Sequence, residues 1–179
     1  MSAIVSTAHA DVATEHLIAR FIQREASLLD KRSFAAWLDL VTEDFTYVVP
    51  TPVTHDNPGR PPWSDTSVIL DETRSSLESL WFIRYSPENV EFAWGENPPQ
   101  RTRRFITGIK ARHSDVRDDE YVVESNLLLS FVRQSDPVTL VPAGRIDTIR
   151  QVDGDFKLAA RIVHIDQTVQ TLAHMRLIF

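Results

Sequence analysis

The dipeptide Asp153-Gly154 constrains this chain more than any other feature. A two-residue Asp-Gly turn closes an antiparallel hairpin, because both residues tolerate the positive φ that such a turn needs. Alternating stretches flank it. Residues 143–152 precede the turn. In 155–166, Phe156, Leu158, Ala160, Ile162 and His164 alternate with Lys157, Ala159, Arg161, Val163 and Ile165. Residues 101–113 and 120–133 read as two more long strands. Long strands in series with short links predict an antiparallel sheet in the second half of the chain.

The first half follows another period. From about Asp11, Leu17, Ile18, Phe21, Ile22, Ala26, Leu28 and Leu29 recur at helical spacing. Ser33 is placed to cap a short second helix carrying Phe34, Trp37, Leu38 and Val41. At Phe45 the period drops to two: Phe45, Tyr47 and Val49 share one face of a strand that Pro50 stops. Residues 50–66 hold five of the ten prolines and predict a long binding loop or an arm. Val68, Leu70, Leu77, Leu80, Trp81 and Phe82 predict a third helix over 68–84, ended by Pro87. A turn follows at 94–99.

Residues 1–10 read as a flexible tail and 11–179 as one domain without internal repeats. The expected class is α+β. A strongly curved antiparallel or mixed sheet wraps over about three N-terminal helices and makes a cone with a cavity at its mouth.

Composition narrows the function. The net charge is −6 and no stretch is cleanly basic, which argues against nucleic acid. Cysteine is absent, which excludes disulfides, thiol catalysis, cysteine-ligated zinc and an iron–sulfur cluster held by this chain. The N-terminus lacks a basic start followed by an apolar run, and no apolar stretch reaches membrane-span length. The expectation is a cytoplasmic protein with no membrane partner.

Three groups of residues carry chemistry. His164 and Asp166 share one strand face, the way a facial triad presents two of three iron ligands. His113 or His174 would have to supply the third. The competing reading is a hydrogen-bonded core histidine. Tyr47, Asp30, His164 and Asp166 are the polar residues best placed to line a cone and do acid–base work there. Against that, Tyr47 can anchor its hydroxyl on backbone and Asp30 can cap a helix. Arg101, Arg103 and Arg104 crowd one strand start, with Arg101 and Arg103 on one face and Arg104 on the other. They suit an anion site, a salt-bridge ladder or an interface. Leu177, Ile178 and Phe179 are too apolar for a solvated end, so burial is expected, within the domain or against a partner.

Three stretches resemble one family. They are LLDKRSFAAWLDLVTEDFTYVVP (28–50), AWGENPPQRTRRFITGIK (93–110) and AGRIDTIRQVDGDFKLAARIVHIDQTVQTLAHMRLIF (143–179). Together they resemble the small (beta) subunit of bacterial aromatic-ring-hydroxylating dioxygenases, in order and over nearly the whole chain. The Asn-Pro-Pro-x-Arg-x-Arg segment and the Arg-Ile-Val-x-Ile-Asp-Gln tail are the more specific parts. One departure stands at 103–108, where the family often has Arg-His-x-Ile-x-Asn and this chain has Arg-Arg-Phe-Ile-Thr-Gly.

The resemblance implies the cone fold shared with ketosteroid isomerase. It implies a structural subunit without catalytic residue, cofactor or metal of its own. Its large alpha partner would carry a Rieske [2Fe–2S] cluster and a mononuclear Fe(II), in an assembly of three large and three small chains. Electrons would arrive from NADH through a ferredoxin or reductase. On this reading Trp63, Arg101, Arg103, Arg104, Asp166, Leu177, Ile178 and Phe179 are the interface candidates. The alternative is a freestanding isomerase or dehydratase that uses Tyr47, Asp30, His164 and Asp166.

Overall fold

Asp11 starts the first helix by accepting a 2.8 Å hydrogen bond from the Thr14 amide. Helix α1 then runs Val12–Asp30 and buries Ile18, Phe21, Ile22, Glu25, Ala26 and Leu29 along one stripe. The computed structural model describes residues 8–56, 59–93, 99–169 and 175–179. Helix α2 (Phe34–Leu38) follows, with Trp37 and Leu38 buried. Strand β1 (Val41–Pro52) carries the expected alternation, with Phe45, Tyr47 and Val49 inside.

Strands β2 (Trp63–Thr73), β3 (Arg101–His113), β4 (Glu120–Val132), β5 (Thr139–Val152) and β6 (Asp155–Ile165) complete one six-stranded sheet. Its order is β2-β1-β6-β5-β4-β3. Among the described residues only β1 and β6 run parallel, so the sheet is mixed and the class is α+β as the sequence implies. Asp153 (φ 52°) and Gly154 (φ 87°) form the predicted turn between β5 and β6. Among the described residues no helix is long and apolar enough to cross a membrane.

The third helix is corrected. Residues 68–73 belong to β2, where Val68, Leu70 and Asp71 pair with Pro50, Val49 and Val48. The run Val68-Ile69-Leu70 suits a pleated surface. A capping box between Thr73 and Ser76 moves the helical start to Arg74. One short α-turn (α3, Arg74–Ser76) passes into a π-turn over Leu77–Trp81 and a 3-10 turn over Phe82–Tyr85. The proline-rich segment is correspondingly shorter, because Pro52 already pairs with Trp63. Of the expected tail only residues 8–10 are described, and these line the β3 edge: Ala10 and His113 donate amides to the Ala111 and Ala8 carbonyls. Residues 1–7, the turn at 94–98 and His174 lie outside the described residues.

Two bulges set which side chains face inward. In β6, Leu158 stands opposite Ile149 but Ala160 stands opposite Thr148, so Ala159 is an extra residue. Leu158 and Ala159 are both buried, and beyond them Arg161, Val163 and Ile165 take the core face. Ile162 and His164 therefore face the other way. In β3 the register shifts between Thr107 and Lys110, and Gly108 adopts φ +62° there. A Cβ at Gly108 would come 3.0 Å from Asn126 Nδ2. The Gly at the place where the sequence departs from the family pattern thus serves a bulge.

The core lies between the helices and one face of the sheet. Trp37 meets Phe45 and Phe82 edge to face, and Val123, Leu129, Ile149, Leu158 and Val163 complete it. The opposite face leaves Phe105, Leu128, Leu140 and Ile162 exposed.

Candidate functional site

The interior of the cone is where a pocket enzyme of this fold would need open space. Glu25 enters it from the apolar stripe of α1, Arg145 and Asp147 from β5, and Arg161 from β6. All four side chains are essentially buried. Arg161 donates Nε and Nη2 to the two Asp147 oxygens at 2.8 and 3.1 Å. Its Nη1 donates to Glu25 Oε1 at 2.9 Å and to the Phe179 main-chain oxygen at 3.0 Å. Arg145 Nη2 donates to Asp147 Oδ2 at 2.5 Å and stands 3.9 Å from Glu25. Trp37 Nε1 donates to Glu25 Oε1 at 2.6 Å. Two carboxylates and two guanidiniums make the cluster neutral, as buried charges require.

The electrostatics lock both acids ionised. Burial alone would raise Glu25, but Arg161 and Arg145 outweigh it and hold its carboxyl below the usual range. The same balance of burial against Arg145 and Arg161 lowers Asp147. Neither acid holds the proton that a general acid needs near neutrality.

The segment Leu177–Phe179 fills the remaining space. Tyr47 donates its hydroxyl to the Leu177 carbonyl at 3.1 Å and accepts from the Phe179 amide at 3.1 Å. Burial pushes the Tyr47 phenol well above its ordinary value, so it stays neutral. Arg104 donates its backbone amide to Asp30 at 3.0 Å and its Nη1 at 2.5 Å. Its Nε reaches the Ile178 carbonyl at 3.1 Å. Asp30 also accepts from the Thr102 hydroxyl at 3.1 Å. A cavity of about 30 Å³ remains beside Phe34, Phe82, Arg104 and Leu177. An organic substrate needs roughly ten times that volume.

The four residues proposed for acid–base work therefore do not converge. Tyr47 and Asp30 are inside and committed to the chain's own groups. His164 and Asp166 are on the far side of the sheet. His164 is half-buried and stacks on Trp63, with ring centroids 3.8 Å apart and planes 13° apart. This corrects the expected hydrogen-bonded core histidine, and the Ala159 bulge is the reason. Burial lowers the His164 pKa below its ordinary value. Asp166 donates its amide to the Pro142 carbonyl at 3.2 Å and leaves its carboxylate exposed. A cleft of about 330 Å³ opens there, lined by His55, Arg60, Trp63, His164 and Asp166. His113 lies on β3 with its ring tilted against Tyr121. Among the described residues no three His, Cys, Asp or Glu side chains cluster as metal ligands do.

The interface candidates divide as well. Arg101 and Arg103 are exposed on β3, whereas Arg104 is buried and paired within the chain. Leu177, Ile178 and Phe179 are buried against this chain's own core, so they offer no side-chain surface to a partner. Trp63 is half-buried in the cleft. Glu25, Arg145, Asp147 and Arg161 were not singled out from sequence. Their signal was faint but present: a Glu inside an apolar helical stripe, and Arg145 and Asp147 at period two among Val141, Ala143 and Ile149.

Residues 24–171 match the family model described as "Ring hydroxylating beta subunit". Solved structures of similar shape include naphthalene 1,2-dioxygenase with indole bound, at 23% identity and TM-score 0.79, over 94% of this chain and 86% of that one. The beta subunit of benzoate 1,2-dioxygenase from Burkholderia mallei is similar at 23% identity and TM-score 0.64, over 87% and 91%. A scytalone-dehydratase-like protein from Novosphingobium aromaticivorans follows at 16% identity and TM-score 0.60, over 87% and 86%. Identities this low speak to the shared cone-like fold.

Proposed function

Because this chain belongs to the ring hydroxylating beta subunit family, we propose that it serves its oxygenase as a scaffold and performs no chemistry itself. The observation that carries the proposal is the filled interior. The space where a pocket enzyme of this fold would bind substrate is occupied by Leu177–Phe179 and by the Glu25–Arg161–Asp147–Arg145 cluster. A buried neutral ion cluster fixes a unique packing, which suits a rigid supporting part.

On this reading an alpha subunit holds the Rieske cluster and the mononuclear Fe(II), and selects the aromatic substrate. Three copies of each chain assemble, and electrons reach the alpha subunit from NADH through a ferredoxin or reductase. The half-buried Trp63 and the exposed Arg101, Arg103 and Asp166 are the contact residues left from the sequence-based set.

Native mass spectrometry of the chain coexpressed with its neighbouring open reading frames tests the proposal. The expected result is a hetero-oligomer with a larger chain in equal number, with iron in the complex and none in the isolated chain. Turnover of a small substrate by the isolated chain, abolished by Tyr47→Phe, would overturn it.

A further inference from the structure

An arginine follows the first helix in a conformation that favours glycine. Arg32 has φ 58°, in the left-handed region where glycine usually ends a helix. Its amide donates to the Leu29 carbonyl and the Ser33 amide donates to the Leu28 carbonyl, so the chain reverses there. A non-glycine residue is held in that region at a cost to the backbone. Such residues gather at sites where the side chain has a use.

The Arg32 side chain goes to the cavity beside Phe34 and Phe82. Its guanidinium carbon lies 4.5 Å from the Tyr85 ring centroid. A ring face suits the flat of a guanidinium and leaves the in-plane N–H groups unmet. Arg32 Nη1 is buried without a hydrogen-bond partner, and among the described residues Arg32 has no ion-pair partner. Arg104 and Arg176 line the same cavity, and among the described residues no Asp or Glu does. Asp30, which pairs with Arg104, is not on the wall. Burial still depresses the Arg104 guanidinium below its ordinary value, so the position favours further negative charge. The volume of about 30 Å³ admits a water or a small ion and excludes an organic molecule.

We propose that this cavity binds one small inorganic anion of halide size, with Arg32 Nη1 as its direct donor and Arg104 and Arg176 supplying the field. Three guanidiniums on a wall without carboxylates select a monovalent anion over a cation. The cavity touches the end of α1, the turn Phe82–Tyr85, the start of β3 and the segment Leu177–Ile178. An anion there ties these four parts together, so the fold should be firmer when it is bound. The inference concerns this chain's own stability and stands apart from the scaffold reading.

Two measurements on the full chain test it, in wild type, R32G and R32M. R32G frees the backbone of its unusual φ, and R32M keeps an apolar stem without the charge. Circular dichroism establishes that each is folded. Wild-type crystals soaked in sodium bromide should show anomalous density in the cavity, and crystals of either variant should not. In solution, the wild-type melting temperature should rise and saturate as sodium chloride replaces sodium gluconate at constant ionic strength, because a ligand bound only by the folded state stabilises it. Gluconate is too large to enter. The rise should vanish in whichever of the two variants folds. Density without an anomalous signal means a bound water and overturns the proposal. An anomalous peak or a chloride response that survives loss of the guanidinium overturns it too. A bromide peak with no chloride response in solution is binding at crystal concentration only, and is equally fatal.

Discussion

Arg161 holds Asp147 with both arms of its fork, Nε and Nη2, inside a region where neither side chain meets solvent. Through Glu25 and the Phe179 main-chain oxygen, Arg161 also ties strands β5 and β6 to helix α1 and to the segment Leu177–Phe179.

Breaking that pair from one side should be severe. Arg161→Met strands Asp147 and Glu25 without their main partner, and one-sided loss of a buried ion pair costs roughly 3–5 kcal/mol. Urea unfolding should show a fall of that order in midpoint stability. A variant no less stable than wild type would mean the cluster contributes nothing.

The cluster also sets a pH dependence. Glu25 and Asp147 have folded pKa values lowered below their unfolded ones by Arg161 and Arg145, against the burial that raises them. Their contribution is therefore present above the unfolded carboxyl range, about 4, and is lost as pH falls through the lowered folded values. Melting temperature should decline on acidification below about pH 4, and the decline should be shallower in Asp147→Asn. Equal slopes in the two proteins would refute this assignment.

Tyr47→Phe removes the acceptor for the Phe179 amide and the donor to the Leu177 carbonyl. Leaving buried backbone groups unpaired costs about 1–3 kcal/mol each. Phe179→Ala should cost about 3–5 kcal/mol by opening a cavity. If chemical denaturation shows either change to be silent, the segment does not dock as described.

The surface pair Arg150–Asp44 makes a useful contrast. The two terminal guanidinium nitrogens of Arg150 meet the carboxylate, at 2.9 and 3.0 Å, and this hydrogen bonding lowers Asp44 to about 2. The Asp44 side chain is 63% exposed, so solvent screens the gain. Asp44→Asn should change stability by no more than about 1 kcal/mol. A loss comparable to that of Arg161→Met would show that burial is not what separates the two pairs.

The Trp63–His164 stack should report on protonation. The cation form quenches indole emission in contact, so Trp63 fluorescence should drop as pH falls through the His164 transition. Burial places that transition below the ordinary histidine value of about 6.5. The step should vanish in His164→Ala and in Trp63→Phe. A step that survives both belongs to another of the four tryptophans.

Much of the fold was readable because its signals are local. The Asp153-Gly154 turn, the alternation of Phe45, Tyr47 and Val49, and the spacing along α1 each follow from a few neighbours. Strand β2 was misread because Val68, Leu70, Leu77 and Trp81 fit a helical period by chance. The Thr73–Ser76 capping box that divides them is short. The interior was harder. Glu25, Asp147 and Arg161 come from three distant elements, and nothing local announces that they meet. His164 was assigned inward because a clean alternation carries no mark of the extra residue that inverts it.

That extra residue, Ala159, works like the phase of a reading frame. Upstream and downstream of it the same alternation is written, but the meaning of inside and outside is exchanged. Deleting this small, chemically plain residue would leave a regular ladder, with Arg161 still facing the core and Ile162 and His164 still facing away, because Leu158 and Ala160 already stand opposite the consecutive residues Ile149 and Thr148. Loss of one residue between Arg161 and Ile165 would instead exchange the two faces of everything beyond it. The least conspicuous position in β6 is the one whose presence has to be counted.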